Sequence, residues 1–111
     1  MITTHVLDTT RGGPAAAIRI VLEISDGSIW REVGRGVTDA SGRVTTLSER
    51  QTFIAGTYRL TFGTGDYHRR QGISHPFFPD VQITFAVADP GDHYHLPLLL
   101  SPFGYSTYRG T

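Results

Sequence analysis

The sequence predicts an all-β domain, built either as a sandwich or as a barrel. Apolar and polar residues alternate with a period of two along most of the chain. Short motifs rich in glycine, aspartate and proline interrupt the alternation at regular intervals, as the turns between strands do. The length of 111 residues suits one domain with its own core, and we expect residues 1–111 to form that single domain.

About eight short strands follow from this pattern. The alternation is strictest in residues 18–25, 58–62 and 81–87, where a large apolar residue occupies every second position. The other strands are placed by the turns that bound them, at residues 2–8, 29–38, 43–46, 93–100 and 105–109. Those turns are predicted at residues 11–14, 25–27, 39–42 and 89–92.

One segment, residues 64–72, lacks the alternation and predicts a helix of two turns. Gly72 suits the C-terminal cap of this helix, and Arg69 and Arg70 fall in its last turn, where their charges complement the helix dipole. His68 lies in the predicted helix and His75 in the loop that follows it. We expect both histidine side chains to be solvated.

The composition excludes several classes of function. Ten basic and ten acidic residues give a formal net charge of zero, so no nucleic-acid partner is expected. The chain has no cysteine, which excludes disulfides and thiolate chemistry. No apolar run approaches the ~18 residues of a membrane span, and the first residues do not resemble a secretory signal, so a cytoplasmic location is expected.

Two predicted strands carry histidines on the face that points away from the core. In the strand that begins near residue 93 the leucines share one face, which leaves His93 and His95 on the other. The same alternation in the first strand places His5 outward. Outward histidines form no pocket within one subunit, but they could line one between two subunits whose sheets pack together. Leu7 and Leu99 would add apolar area to such a contact.

Each of these residues also has a simpler interpretation. An isolated strand histidine such as His5 is commonly a surface residue. Arg43 follows a turn directly, a position where arginine is commonly exposed. His93 and His95 could bind a metal, but two ligands are too few for a zinc site and no cysteine can complete it, so we predict no metal. Asp8 is most simply a turn residue that ends the first strand. No phosphate-binding loop or nucleophile elbow occurs, so catalysis would use histidine, arginine or a carboxylate.

The last residues of the chain combine side chains that are seldom concentrated at a terminus. Tyr108-Arg109-Gly110-Thr111 supplies an aromatic ring, a guanidinium group and a hydroxyl within one tetrapeptide. Terminal residues usually fray unless other contacts tie them down. We therefore expect this tail to form part of a site.

Motifs along almost the whole chain carry a resemblance to a known family. They are His5-Val-Leu-Asp-Thr9, Gly13-Pro-Ala15, Asp39-x-x-Gly-Arg43, Thr52-Phe53, Ala55-Gly56-x-Tyr58, Phe77-Phe-Pro79 and the closing run from His95 to Thr111. In these motifs the chain resembles the 5-hydroxyisourate hydrolases, the purine-catabolic branch of the transthyretin-like family. The two ends are the most specific part of the resemblance, and Thr111 stands where the family usually has serine.

The resemblance implies a transthyretin-like sandwich of two four-stranded sheets with one short helix between the fifth and sixth strands. It also implies a homotetramer whose active sites lie in a channel where dimers pack face to face. The implied reaction is the hydrolysis of 5-hydroxyisourate, a product of urate oxidation, to 2-oxo-4-hydroxy-4-carboxy-5-ureidoimidazoline. This reaction of purine catabolism needs no cofactor.

The resemblance also assigns the residues of the site. His5, Arg43 and His95 are expected to be catalytic. One of the two histidines can accept a proton from water because imidazole titrates near neutral pH, and Arg43 can donate hydrogen bonds to the substrate carbonyls and the developing oxyanion. We assign His95 as the base, although the sequence does not separate it from His5. The expected substrate-binding residues are His5, Arg43, His95, Tyr108, Arg109, Gly110 and Thr111.

Two other functions remain open to a chain of this fold. Transthyretin itself carries aromatic ligands and catalyses no comparable reaction, so a carrier without enzymatic activity is the main alternative. A secreted carrier would need a signal sequence, and it would not need the outward histidines or the Tyr-Arg-Gly tail. A sandwich that only binds a protein partner would explain the strands but not this tail.

Overall fold

The computed structural model describes residues 1–111. It contains nine β-strands, which form two sheets, and one helix. The prediction of a mostly β sandwich with one short helix is confirmed. The strands are β1 (Ile2–Asp8), β2 (Gly13–Pro14), β3 (Arg19–Asp26), β4 (Ile29–Val37), β5 (Arg43–Val44), β6 (Gly56–Phe62), β7 (Val81–Val87), β8 (Tyr94–Ser101) and β9 (Gly104–Thr107). The helix is α1 (Thr64–Arg70).

The two sheets differ in their connections. The first sheet has the order β2-β1-β8-β9, and β5 also pairs with β1. The second sheet has the order β4-β3-β6-β7. All pairings are antiparallel except that of β1 with β8, which is parallel. The first sheet thus has five strands where four were expected, because the two-residue β2 pairs with the end of β1 in a segment predicted as a turn.

The space between the sheets is filled by a cluster of 19 buried apolar or aromatic side chains. They come from alternate positions of the long strands, as the period-two pattern predicts. In β8 the expected core face is confirmed, since Tyr94, Leu96, Leu98 and Leu100 are at most 7% exposed. The opposite face of the first sheet is therefore left to carry polar side chains.

The helix ends as the sequence predicts. Gly72 follows it with a φ of +94°, a conformation that glycine adopts without strain. The amide of Gly72 donates to the carbonyl of Arg69, and that of Ile73 donates to the carbonyl of His68, both at 3.0 Å. These bonds satisfy carbonyls that the end of a helix leaves unpaired. At seven residues α1 is the only helix, and it is too short to cross a membrane.

His68 is buried, so the prediction that it is solvated is wrong. Its side chain is 3% exposed, and its Nε2 atom has no hydrogen-bond partner in the protein. The neighbouring Tyr67 is buried as well, because α1 packs this side against the domain. A helix of two turns is too short for its apolar period to show which face is buried. His75 is exposed, as predicted.

Asp8 ties α1 to the end of β1. Its Oδ2 atom accepts a hydrogen bond of 2.6 Å from the Tyr67 hydroxyl, and its Oδ1 atom accepts from the amides of Thr10 and Arg11. Burial raises the pKa of Asp8, but these hydrogen bonds outweigh burial and hold the pKa below its ordinary value. Asp8 is thus a turn residue, as expected, and it also anchors the helix.

Replacing His68 with leucine should make the stability of the protein less sensitive to acid. Burial lowers the pKa of His68 in the folded state, whereas the unfolded chain binds a proton near pH ~6.5. The unfolded state therefore gains protons first as the pH falls from about 7 to 5, which destabilises the wild-type fold. Urea unfolding measures the free energy of unfolding at pH 7.5 and at pH 5. The decrease from pH 7.5 to pH 5 should be smaller in His68→Leu than in the wild type. An equal loss in both proteins would contradict the role of His68.

Candidate active site

A polar recess of about 170 Å³ lies on the outer face of the first sheet. We call it the histidine recess. It is open to solvent in the protomer and has no apolar residue in its lining. Its side chains include those of Thr3, Arg43, Thr45, His93, His95 and Thr111.

The pairing of three strands brings the predicted residues to this face. In the parallel β1–β8 pair, Thr3 lies opposite His95. On the other side of β1, His5 lies opposite Arg43 of β5. His5 and His95 are both partly exposed, as the alternation predicts for the outward face. The structure therefore brings Arg43 and His95 together in the recess and places His5 directly beside Arg43.

Arg43 is presented by a tight turn that Asp39 holds in place. The Oδ1 atom of Asp39 accepts hydrogen bonds from the amides of Ser41 at 2.8 Å and Arg43 at 3.0 Å. The bond from the Arg43 amide is the main cause that holds the pKa of Asp39 below its ordinary value. The guanidinium of Arg43 is exposed and makes no salt bridge or hydrogen bond within the protomer. Its donors are thus available to a bound molecule.

Thr3 connects two histidines on the floor of the recess. Its Oγ1 atom lies 2.8 Å from Nδ1 of His95 and 2.8 Å from Nε2 of His93. Neither Thr3 nor His93 was among the residues predicted to be catalytic. The alternation placed His93 on the outward face, and Thr3 shares the face of His5 because it lies two positions earlier in the same strand. Only the pairing of β1 with β8 shows that the two side chains meet.

The surroundings of His95 favour its neutral form. Burial is the main cause that lowers the pKa of His95 below the ordinary imidazole value. The positive charge of Arg43 acts in the same direction, as does a proton on His93 or His5 when it is present. A neutral imidazole has one nitrogen without a proton, so His95 can accept a proton near pH 7.

The C-terminal tail is tied down along β8. The amide of Gly110 donates to the carbonyl of His95 at 2.8 Å, and the Arg109 guanidinium donates to the carbonyl of His93 at 3.3 Å. Gly110 packs against the His95 ring so closely that a Cβ atom there would lie 2.6 Å from its Cδ2. No other residue type fits at this position without a shift of the ring or the tail.

Tyr108 and Arg109 lie apart from the histidine recess. Their side chains line a groove of about 250 Å³ between the sheets, which we call the edge groove. There the Arg109 guanidinium lies 4.6 Å from the centre of the Tyr94 ring. Of the predicted tail residues, only Gly110 and Thr111 adjoin the recess in the protomer.

The recess offers acid–base and hydrogen-bonding chemistry. No three histidine, cysteine, aspartate or glutamate side chains cluster in a way that could hold a metal ion. The groups at hand are a neutral imidazole, a free guanidinium and hydroxyls. Such a set can activate water and stabilise an oxyanion at an amide carbonyl. That the protein needs no cofactor stays a prediction.

Comparison with known proteins connects the chain to a family. The model of the HIUase/Transthyretin family matches residues 2–110. A 5-hydroxyisourate hydrolase of Rhizobium meliloti is 46% identical over 99% of this chain and 95% of its own length. The solved 5-hydroxyisourate hydrolase of Klebsiella pneumoniae is 39% identical, with a TM-score of 0.83 over 99% of this chain and 98% of its own. Sea bream transthyretin, solved in complex with thyroxine, is 37% identical, with a TM-score of 0.89 over 98% of this chain and 93% of its own.

Replacing Gly110 with alanine should displace the His95 ring or detach the tail. The added methyl group would overlap the ring, at a cost of about 1–3 kcal/mol in the free energy of unfolding. The carbon and proton resonances at Cδ2 of His95 should shift in Gly110→Ala. Gly104→Ala is a matched control, because a Cβ there meets only Ser101 Oγ at 3.7 Å. Unchanged His95 resonances in Gly110→Ala would show that the contact does not exist in solution.

Proposed function

The chain belongs to the HIUase/Transthyretin family, and we propose that it is a hydrolase that opens the ring of 5-hydroxyisourate. The product would be 2-oxo-4-hydroxy-4-carboxy-5-ureidoimidazoline, which places the protein in urate degradation. The observation that carries the proposal is the histidine recess, where a neutral His95 and a free Arg43 meet on one face beside His5. The hydrolase relatives at 39–46% identity support it.

In the proposed reaction, water attacks a ring carbonyl of the substrate. His95 takes a proton from the water as its oxygen bonds to the carbonyl carbon. The guanidinium of Arg43 donates hydrogen bonds to the oxyanion that forms. The ring C–N bond then breaks, and the imidazolium of His95 returns the proton to the leaving nitrogen. His5, beside Arg43, would orient the water or the substrate.

Two features of the site support His95 rather than His5 as the base. Its pKa is lowered first by burial and then by the nearby Arg43 guanidinium, which favours the neutral ring. The hydrogen bond between Thr3 and Nδ1 of His95 also fixes the orientation of the ring, and with it the direction in which Nε2 points. Tyr108 and Arg109 remain proposed substrate-binding residues, and in the protomer they are separated from this base.

We further propose that the recess is completed in a homotetramer, where outer faces of two copies pack together. Leu7 and Leu99 lie on this face and are only half-buried in the protomer. A covering subunit would bury these leucines and exclude water from the recess, which strengthens its electrostatic interactions. Phe77 and Phe103, 67% and 79% exposed, form part of a separate aromatic patch that also favours self-association. A cytoplasmic location stays a prediction.

A carrier of aromatic ligands is the second candidate, because sea bream transthyretin in complex with thyroxine shares the fold. The lining of the histidine recess argues against it. The recess has no apolar residue, whereas sites for aromatic ligands are lined mainly by apolar side chains. The free guanidinium and the neutral imidazole are the groups a hydrolase needs.

Hydrolysis is tested by generating 5-hydroxyisourate with urate oxidase and following its ultraviolet absorbance as it decays. The wild-type protein should accelerate the decay, and His95→Asn should lose at least about a hundredfold of that acceleration. His75→Asn changes an exposed histidine outside the recess and should keep full activity. Near-normal turnover in both His5→Asn and His95→Asn would exclude this mechanism.

Leu99→Arg should separate the copies and reduce activity, because it places a charge on the face of the proposed contact. Size-exclusion chromatography with light scattering would show a smaller species than the wild-type tetramer. Ile29→Arg is the control, since Ile29 is 62% exposed on β4 of the other sheet. A wild-type protein that is monomeric at assay concentration and fully active would contradict the tetramer.

A further inference from the structure

The hydroxyl of Thr3 is shared by two imidazole rings. Its oxygen lies 2.8 Å from Nδ1 of His95 on one side and 2.8 Å from Nε2 of His93 on the other. Thr3 is 5% exposed, so water has little access to compete for this hydroxyl. The two rings differ in environment, because His95 is partly buried and His93 is exposed.

The single proton of a hydroxyl links the protonation states of the two rings. The two ring nitrogens are the only hydrogen-bond partners of the Thr3 hydroxyl, so its proton goes to one of them and its oxygen accepts from the other. If His95 donates from Nδ1 to Thr3, then Thr3 donates to Nε2 of His93. In that arrangement Nε2 of His95 carries no proton and is free to act as a base. In the opposite arrangement Nε2 of His95 is protonated and cannot accept a proton from water.

We propose that Thr3 and His93 form a proton relay with His95 that fixes its tautomer and shares its positive charge during hydrolysis. The proposal rests on the proposed function, in which His95 is the base. In this proposal Thr3 and His93 act through His95, as positioning and relay residues.

The relay conserves protons over the reaction. When Nε2 of His95 takes a proton from water, Nδ1 of His95 passes its proton to the Thr3 oxygen. The Thr3 hydroxyl proton then moves to Nε2 of His93, so the positive charge lies on His93. When Nε2 of His95 gives its proton to the leaving nitrogen, the extra proton on His93 returns through Thr3 to Nδ1 of His95. Only O–H and N–H bonds are exchanged in the relay.

The charges around the recess give the relay a physical reason. Arg43 and His5 lie near His95 and disfavour an imidazolium there, as does the loss of water around the ring. His93 is exposed, so water can stabilise a positive charge on its ring. Its backbone carbonyl accepts from Arg109, which fixes the main chain at this position. Moving the charge from His95 to His93 therefore lowers the cost of the protonated intermediate.

Nitrogen NMR of the histidine rings tests the first half of the proposal without substrate. In the wild-type protein at neutral pH, His95 should carry its proton on Nδ1 and His93 should carry its own on Nδ1. Thr3→Val removes the hydroxyl and keeps a β-branched side chain of similar volume. In this variant His95 should become a mixture of tautomers, while Thr3→Ser should restore the wild-type signature. A pure Nε2-protonated His95 in the wild type, or an unchanged signature in Thr3→Val, would overturn the proposal.

Kinetics separate the relay from simple positioning. Thr3→Val should lower kcat at least about tenfold with little change in KM, and Thr3→Ser should recover most of the loss. Thr57→Val, on the exposed face of β6, is the control and should keep wild-type kinetics. His93→Gln keeps an acceptor for Thr3 but cannot hold the proton, so its kcat should also fall about tenfold. Full kcat in His93→Gln would overturn the relay.

The solvent isotope effect gives a second measure of the relay. When the rate of the wild-type protein is plotted against the deuterium fraction of the solvent, the plot should be curved, because several protons move together. The dependence should become linear in His93→Gln. A wild-type protein with no hydrolytic activity would instead refute the proposed function, and the NMR result would then stand as a separate test of the hydrogen-bond network.

Discussion

The parallel pairing of β1 with β8 is the contact on which the rest of the structure depends. Its register joins Ile2–Asp8 to Tyr94–Leu100, two segments at opposite ends of the chain. One face of this pair fills the core, and the other carries the histidines. A shift by one residue would turn the histidines inward and the leucines out to solvent. The burial of the leucine face therefore fixes the position of Thr3 opposite His95, and the core and the site are set by the same register.

The electrostatics of the histidine recess follow from this arrangement. β1 and β5 bring His5 and Arg43 to the same face as His95, so the positive charge of Arg43 lies near the ring of His95. Burial and this charge both favour the neutral ring, which can accept a proton, and the charge also attracts an oxyanion that forms nearby. The same positive field thus helps the base before the reaction and the intermediate during it.

Much of the fold and part of the site could be predicted from the sequence. The alternation in residues 93–100 placed His95 outward because a strand has two faces and the leucines had to fill one. Three features could not be obtained in this way. The burial of His68 escaped notice because a seven-residue helix shows no clear period. The separation of Tyr108 from the recess depends on how the tail packs beside β8. The bridge through Thr3 depends on the parallel register, which no local pattern encodes.

The location of the bound ligand is the most direct test of the central claim, that chemistry takes place in the histidine recess. Urate is a planar and stable relative of the proposed substrate, and a crystal structure of the protein with urate would show where such a ring binds. We expect urate in the histidine recess, with its carbonyl oxygens on the Arg43 guanidinium and its ring near Nε2 of His95. Urate bound in the edge groove beside Arg109, with the recess empty, would contradict the account.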